Sequence, residues 1–118
     1  MAKVEDSVLI AAPPEAVFAR LADLTGGPRW VPGLLKADRT SSVEAGPGLE
    51  VALTVKLGDR ESSGVGTLQD WERPVRLVLE ATFDAGLAAR ADLHLQPAAE
   101  GTLLTARIDY TIKGKRLR

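Results

Sequence analysis

The stretch Val4-Glu5-Asp6-Ser7-Val8-Leu9-Ile10-Ala11-Ala12-Pro13-Pro14-Glu15-Ala16-Val17-Phe18 decides how the chain is read, because two periodicities meet inside it. Val4 to Ala11 alternates: Val4, Asp6, Val8 and Ile10 share one face, and Glu5, Ser7, Leu9 and Ala11 the other, the period-two pattern of a strand. Pro13 and Pro14 then halt it. Proline cannot donate to a sheet ladder, but its fixed φ suits the first position of a helix, and the acid Glu15 suits the positive end of the helix dipole. Val17, Phe18, Leu21, Ala22 and Leu24 follow at helical spacing and predict one amphipathic helix of about three turns. Gly26, Gly27, Pro28, Pro32 and Gly33 surround Arg29-Trp30-Val31, which reads as a tight connection with a short helical turn.

Working outward, everything from Leu34 onward has period two, with turn signals at Gly46-Pro47-Gly48, Gly58-Asp59, Arg73-Pro74, Asp84-Ala85-Gly86 and Pro97 to Gly101. Leu49, Val51, Leu53, Val55 and Leu57 fall on one face of the first long strand. Val75, Leu77, Leu79, Ala81 and Phe83 repeat the device, as do Leu87, Ala89, Ala91, Leu93 and Leu95, and then Leu104, Ala106, Ile108, Tyr110 and Ile112. The inward face is small in the middle and large at its ends, as a curved sheet around a hollow requires. Gly64 and Gly66, within a strand from Arg60 to Glu72, are expected to mark a bulge or bend. Leu35 to Val43 is the least regular strand, and its Lys36, Asp38 and Arg39 point to an exposed edge. The fold class is therefore α+β: an antiparallel, curved sheet of six to seven strands, with an N-terminal strand followed by one helix, all in a single domain over residues 1–118.

Composition narrows the function classes. Fifteen Lys and Arg against 16 Asp and Glu give a formal net charge of −1, which offers no global field for nucleic acid or an anionic membrane. The absence of cysteine excludes disulfides and thiolate chemistry and fits a reducing compartment, so the expected location is cytoplasmic. No run approaches the roughly 18 apolar residues of a membrane-spanning helix. With two Trp, two Phe and one Tyr, any pocket is expected to be aliphatic. The sequence closes on Lys113-Gly114-Lys115-Arg116-Leu117-Arg118 without the pattern of a second long helix, and the four cations there read as a solvated tail. An uncovered apolar sheet face must hold a ligand, meet a partner or bury itself against a second copy.

The run strand, Ala12-Pro13-Pro14-Glu15-Ala16-Val17-Phe18, Leu21-Ala22-Asp23, then Pro28-Arg29-Trp30-Val31-Pro32-Gly33 resembles the opening of the SRPBCC superfamily, the START-like or helix-grip proteins that include polyketide cyclases and pollen allergens. Gly66-Thr67-Leu68-Gln69-Asp70-Trp71-Glu72-Arg73-Pro74-Val75-Arg76-Leu77 is similar to that family's strand and turn before its central hairpin, and Ala91-Asp92-Leu93-His94-Leu95 with Gly101-Thr102-Leu103-Leu104-Thr105 to its closing hairpin. The resemblance implies a seven-stranded antiparallel sheet gripping a long C-terminal helix around an apolar cavity; the departure here is that the C-terminal helix is absent. The cone-shaped sheet of nuclear-transport-factor-like proteins is the alternative at this length, but those begin with long helices.

Candidate ligand-binding residues follow. Val51, Leu53, Val55, Leu79, Ala81, Phe83, Leu93 and Ile108 provide an apolar wall. Trp30, between two prolines, is placed to cap a pocket or to plug the core beneath the helix. Tyr110, with a phenol needing a polar partner, and Thr67 and Gln69 on the glycine-bent strand are the polar groups that could orient a ligand. Asp6 is the one carboxylate on an otherwise apolar strand face, with an exposed strand end as the simpler account; His94 falls outside by parity. A lone histidine without cysteine gives no metal spacing, and no serine has a base partner on its face, so no metal, cofactor or catalytic residue is predicted. The leading expectation is non-enzymatic binding or transport of a small hydrophobic molecule, lipid or polyketide-like, by a homodimer with no nucleic-acid partner and no integral membrane segment. The alternatives are a polyketide cyclase or aromatase-like enzyme and an assembly module that dimerises through the uncovered face.

Overall fold

A computed structural model of the chain describes residues 2–29 and 31–112, apart from the side chains of Ala2, Leu57, Ala85 and Ile112. Trp30 and the terminal cations Lys113, Lys115, Arg116 and Arg118 lie outside the described residues. Seven strands, β1 (Ala2–Ile10), β2 (Leu34–Arg39), β3 (Glu50–Leu57), β4 (Arg60–Glu72), β5 (Arg76–Phe83), β6 (Leu87–Ala98) and β7 (Gly101–Ile112), form one curved sheet in the order β1-β7-β6-β5-β4-β3-β2. Every neighbouring pair is antiparallel. The N-terminal strand and β2 are thus the two edges of the sheet, so the connection between them must cross its whole width. Helix α1 (Pro14–Ala22) and a 3-10 turn (Leu24–Arg29) make that crossing over the concave face.

The helix begins as its prolines require. Pro13 is extended, with φ −68° and ψ 156°, and its carbonyl accepts hydrogen bonds from the N–H groups of Ala16 (3.0 Å) and Val17 (3.1 Å). It is shorter than the three turns expected, because Leu24 belongs to the 3-10 turn: the Gly26-Gly27-Pro28 run cannot sustain an α-helix, and Asp23 closes the break by accepting from the Gly26 N–H and the Thr25 hydroxyl. Val17, Phe18 and Leu21 point down onto Leu49, Leu68, Leu77, Leu93 and Leu95 to form the core. Phe18 is fully buried, its ring 5.5 Å from that of Trp71, and the Arg73 guanidinium lies over both rings at 4.9 and 5.6 Å. Burial of a side chain of this size contributes about 1.5–3 kcal/mol.

Three local details differ from the sequence reading. The bulge in β4 lies at Gln69, where the register shifts between Leu68 and Asp70, and not at the glycines. Gly64 and Gly66 are instead places where neighbours crowd in: a Cβ on Gly64 would collide with the Phe83 ring, and one on Gly66 would come within 2.9 Å of Leu53 Cδ1. Pro97 does not end β6 but continues it, paired with Thr102. Leu95 turns its N–H toward the Val75 carbonyl (2.8 Å), and two residues on the nitrogen of Pro97 faces the same side, beyond the start of β5, where no ladder partner is lost. Gly101 then opens β7 at φ +143°, pressed against the backbone of Ile10 and Ala12, and the buried Thr102 hydroxyl donates to the Ala12 carbonyl at 2.7 Å. That contact ties the β6–β7 hairpin to the corner where β1 becomes α1.

Candidate functional site

Strand pairing places Val51, Gly66, Ala81 and Ala89 in a single row across β3, β4, β5 and β6, all on the concave face. Glycine and alanine leave that row low, while the end of α1 and the 3-10 turn pass above it. The space between is a partly enclosed cavity of about 210 Å³. Its floor is Val51, Leu53, Gly66, Leu79, Ala81, Ala89 and Ala91, and its roof is Leu21, Leu24, Gly27, Val31 and Leu34. Thr67 and Glu80 also border it, but they pair with each other between residues that face the cavity, so alternation turns their side chains to the opposite face. Glu80 is engaged there by Arg90 at 3.1 Å.

Of the residues singled out in the sequence, Val51, Leu53, Leu79 and Ala81 line this cavity and Thr67 touches its edge. The others lie elsewhere. Leu93 belongs to the core beneath α1, because its cross-strand partner Leu77 sits under the helix. Gln69 is the bulge residue and is exposed. Val55 and Phe83 sit further along the concave face, where Phe83 covers Gly64. Ile108 is half-buried on β7 opposite Ala91. Tyr110 is 37% exposed and borders an adjoining depression that shares Glu80, Ala81 and Ala89 with the cavity. Trp30 falls outside the described residues. Leu21 and Leu24 were not legible as site residues, since helical leucines read as core, nor were Val31 in the connection and Leu34 at the start of β2; Gly66 and Ala89 carried a signal, as small residues inside otherwise bulky alternation.

Arg76, Asp92 and His94 gather on the outer face instead. Arg76 grips Asp92 with two hydrogen bonds, Nε to Oδ1 at 3.0 Å and Nη2 to Oδ2 at 2.8 Å, and His94 Nε2 stands 3.0 Å from Asp92 Oδ1. The hydrogen bonds from Arg76 hold the Asp92 carboxyl below the usual carboxylate range, against the opposing effect of its partial burial, and raise the Arg76 guanidinium in turn. Asp84 is likewise lowered, by the Ser62 hydroxyl and the Ser63 N–H, which fix the short 3-10 turn Asp84–Gly86 between β5 and β6. Asp6 is exposed and its carboxylate accepts the Ser7 N–H at 2.8 Å. None of these groups borders the cavity. Among the described residues no three acids or histidines are placed to hold a metal ion, and no helix is long and apolar enough to cross a membrane.

A helix laid across a curved, seven-stranded antiparallel sheet, with an aliphatic cavity beneath its end, is the START-like arrangement. Consistent with this, residues 1–117 match the family described as polyketide cyclase / dehydrase and lipid transport, and the chain belongs to that family. Solved structures share the fold at low identity. The Zhui aromatase/cyclase from a Streptomyces species superimposes with a TM-score of 0.81 at 20% identity, over 98% of this chain and 70% of that one. A START superfamily protein from Mycobacterium smegmatis gives 0.78 at 16%, over 98% and 81%. A protein from Rhodobacter sphaeroides gives 0.72 at 23%, over 93% and 73%. No curated protein matches the sequence.

Proposed function

We propose that residues 1–118 act as one cytoplasmic binding domain for a small hydrophobic molecule, lipid or polyketide-like, which the chain holds or carries without converting it. The observation that carries this reading is the lining of the cavity: aliphatic side chains on both floor and roof, and no acid or base among the described residues directed into it. Such a pocket gains affinity from apolar burial, at about 25 cal/mol per Å², but has nothing with which to move a proton. Likeness to an aromatase/cyclase keeps the cyclase reading as its rival. That rival needs a proton-moving group at the bound molecule, and the phenol of Tyr110, paired with Ala89 one strand beyond the cavity row, does not line the cavity.

The same reading includes a homodimer. Val4 (51% exposed), Val8 (53%) and Tyr110 (37%) leave exposed apolar surface along β1 and β7, interrupted by Asp6 between the two valines, and a second copy would remove it from water. Native mass spectrometry of the gently purified protein tests both points. Expected is a dimer whose mass falls by that of a stoichiometric apolar compound on denaturation. An empty protein that also turns over a polyketide mimic would replace the carrier reading with the cyclase one.

A further inference from the structure

We infer that the cavity selects uncharged, compact ligands of about one or two rings and rejects both long-chain fatty acids and larger polycyclic frameworks. The inference rests on the reading of this cavity as a ligand site and adds to it the size and charge of what enters. Size comes from the floor. A cavity of about 210 Å³ is modestly larger than the roughly 150 Å³ apolar cavity known to take up benzene, so it suits on the order of eight to ten carbons. The limit is built into the sheet, because Gly66, Ala81 and Ala89 are consecutive members of one row across three paired strands. Over Gly66 the space is already taken by side chains, with Leu53 Cδ1 2.9 Å and Val51 Cγ2 3.5 Å from where its Cβ would stand, so the open floor is the part over Ala81 and Ala89. Any added carbon on Ala81 or Ala89 rises into the ligand space.

Charge selection comes from what the row excludes. The one carboxylate bordering the cavity, Glu80, is directed to the outer face and held by Arg90 at 3.1 Å. A carboxylate drawn into the cavity would therefore meet no donor from a described side chain, and an unpaired charge in an apolar site is strongly disfavoured.

The experiment is a two-dimensional ¹H–¹⁵N NMR titration of the full chain with three probes: 1-decalol, 9-anthracenemethanol and palmitate. The two-ring alcohol is expected to shift the amides of Leu53, Gly66 and Leu79, with the tricyclic alcohol and palmitate at least tenfold weaker. Ala81→Leu should weaken the two-ring alcohol at least tenfold. Leu24→Ala, which opens the roof rather than filling the floor, should bring the tricyclic alcohol within threefold of it, and so tests the size limit even if Ala81→Leu does not fold. Tricyclic or palmitate binding as tight as that of the two-ring alcohol overturns the selectivity and leaves the apolar-ligand site standing. No shift of these amides with any probe overturns both.

Discussion

The two halves of the concave face are built from the same alternation and have opposite fates. Under α1, Leu49, Leu68, Leu77, Leu93 and Leu95 meet Val17, Phe18 and Leu21 and keep less than a tenth of their surface exposed. Further along the same strands, Val51, Gly66, Ala81 and Ala89 are roofed by the last turn of α1 and the 3-10 turn, and Ile108 and Tyr110 lie beyond it. Size separates the halves as much as cover does. Large side chains fill the space below the helix, while glycine and alanine leave space below the turn. One half of the sheet is therefore committed to stability, and the other is free to bind.

The sharpest way to break that comparison is Phe18→Ala. It removes the fully buried ring from the covered half and the surface on which Trp71 and Arg73 rest, so chemical denaturation should show a loss of about 3–5 kcal/mol. A smaller effect is expected from Thr102→Val, which leaves the Ala12 carbonyl without its hydroxyl partner at the corner that launches α1: about 1–3 kcal/mol, seen as a lower thermal midpoint with the cavity otherwise intact.

Asp92 offers a milder comparison, on the outer face. Its carboxyl is lowered in the folded protein, so the stabilisation it contributes is present above the ordinary carboxylate pKa, near pH 4, and is lost as pH falls through the lower folded value. Asp92→Asn should flatten the fall in stability below about pH 4. A mutant whose acid denaturation curve overlays that of the parent would show that the Arg76 pair contributes nothing measurable. The smallest change in stability is expected from Val4→Ser on the exposed apolar surface of β1 and β7, within about 0.5 kcal/mol for the monomer. The same substitution should raise the dimer dissociation constant in sedimentation equilibrium. An unchanged constant would remove this surface from the dimer interface.

Much of the fold could be read directly. β4 runs from Arg60 to Glu72 as the alternation predicted, and the edge character of β2 follows from Lys36, Asp38 and Arg39. Pro97 misled because proline was read as a stop, whereas its side of β6 has no neighbour at that point. The site was less legible. Leu93 and Leu79 look alike in the sequence, two inward leucines on neighbouring strands, yet one lies under the helix and the other in the cavity. Thr67 and Gln69 stay open between inward and exposed in the sequence, because nothing local sets the register around Gly64 and Gly66, and the bulge falls after Leu68.

By itself, then, the sequence determined the alternation, the helix start at Pro13-Pro14 and most of the turns, because each depends on residues within a few positions of one another. Only the tertiary structure decided which inward residues share a row, where β4 slips its register and which part of the sheet the helix covers. Those are set by pairing between strands distant in the chain and by the path from one sheet edge to the other, and no local pattern encodes them.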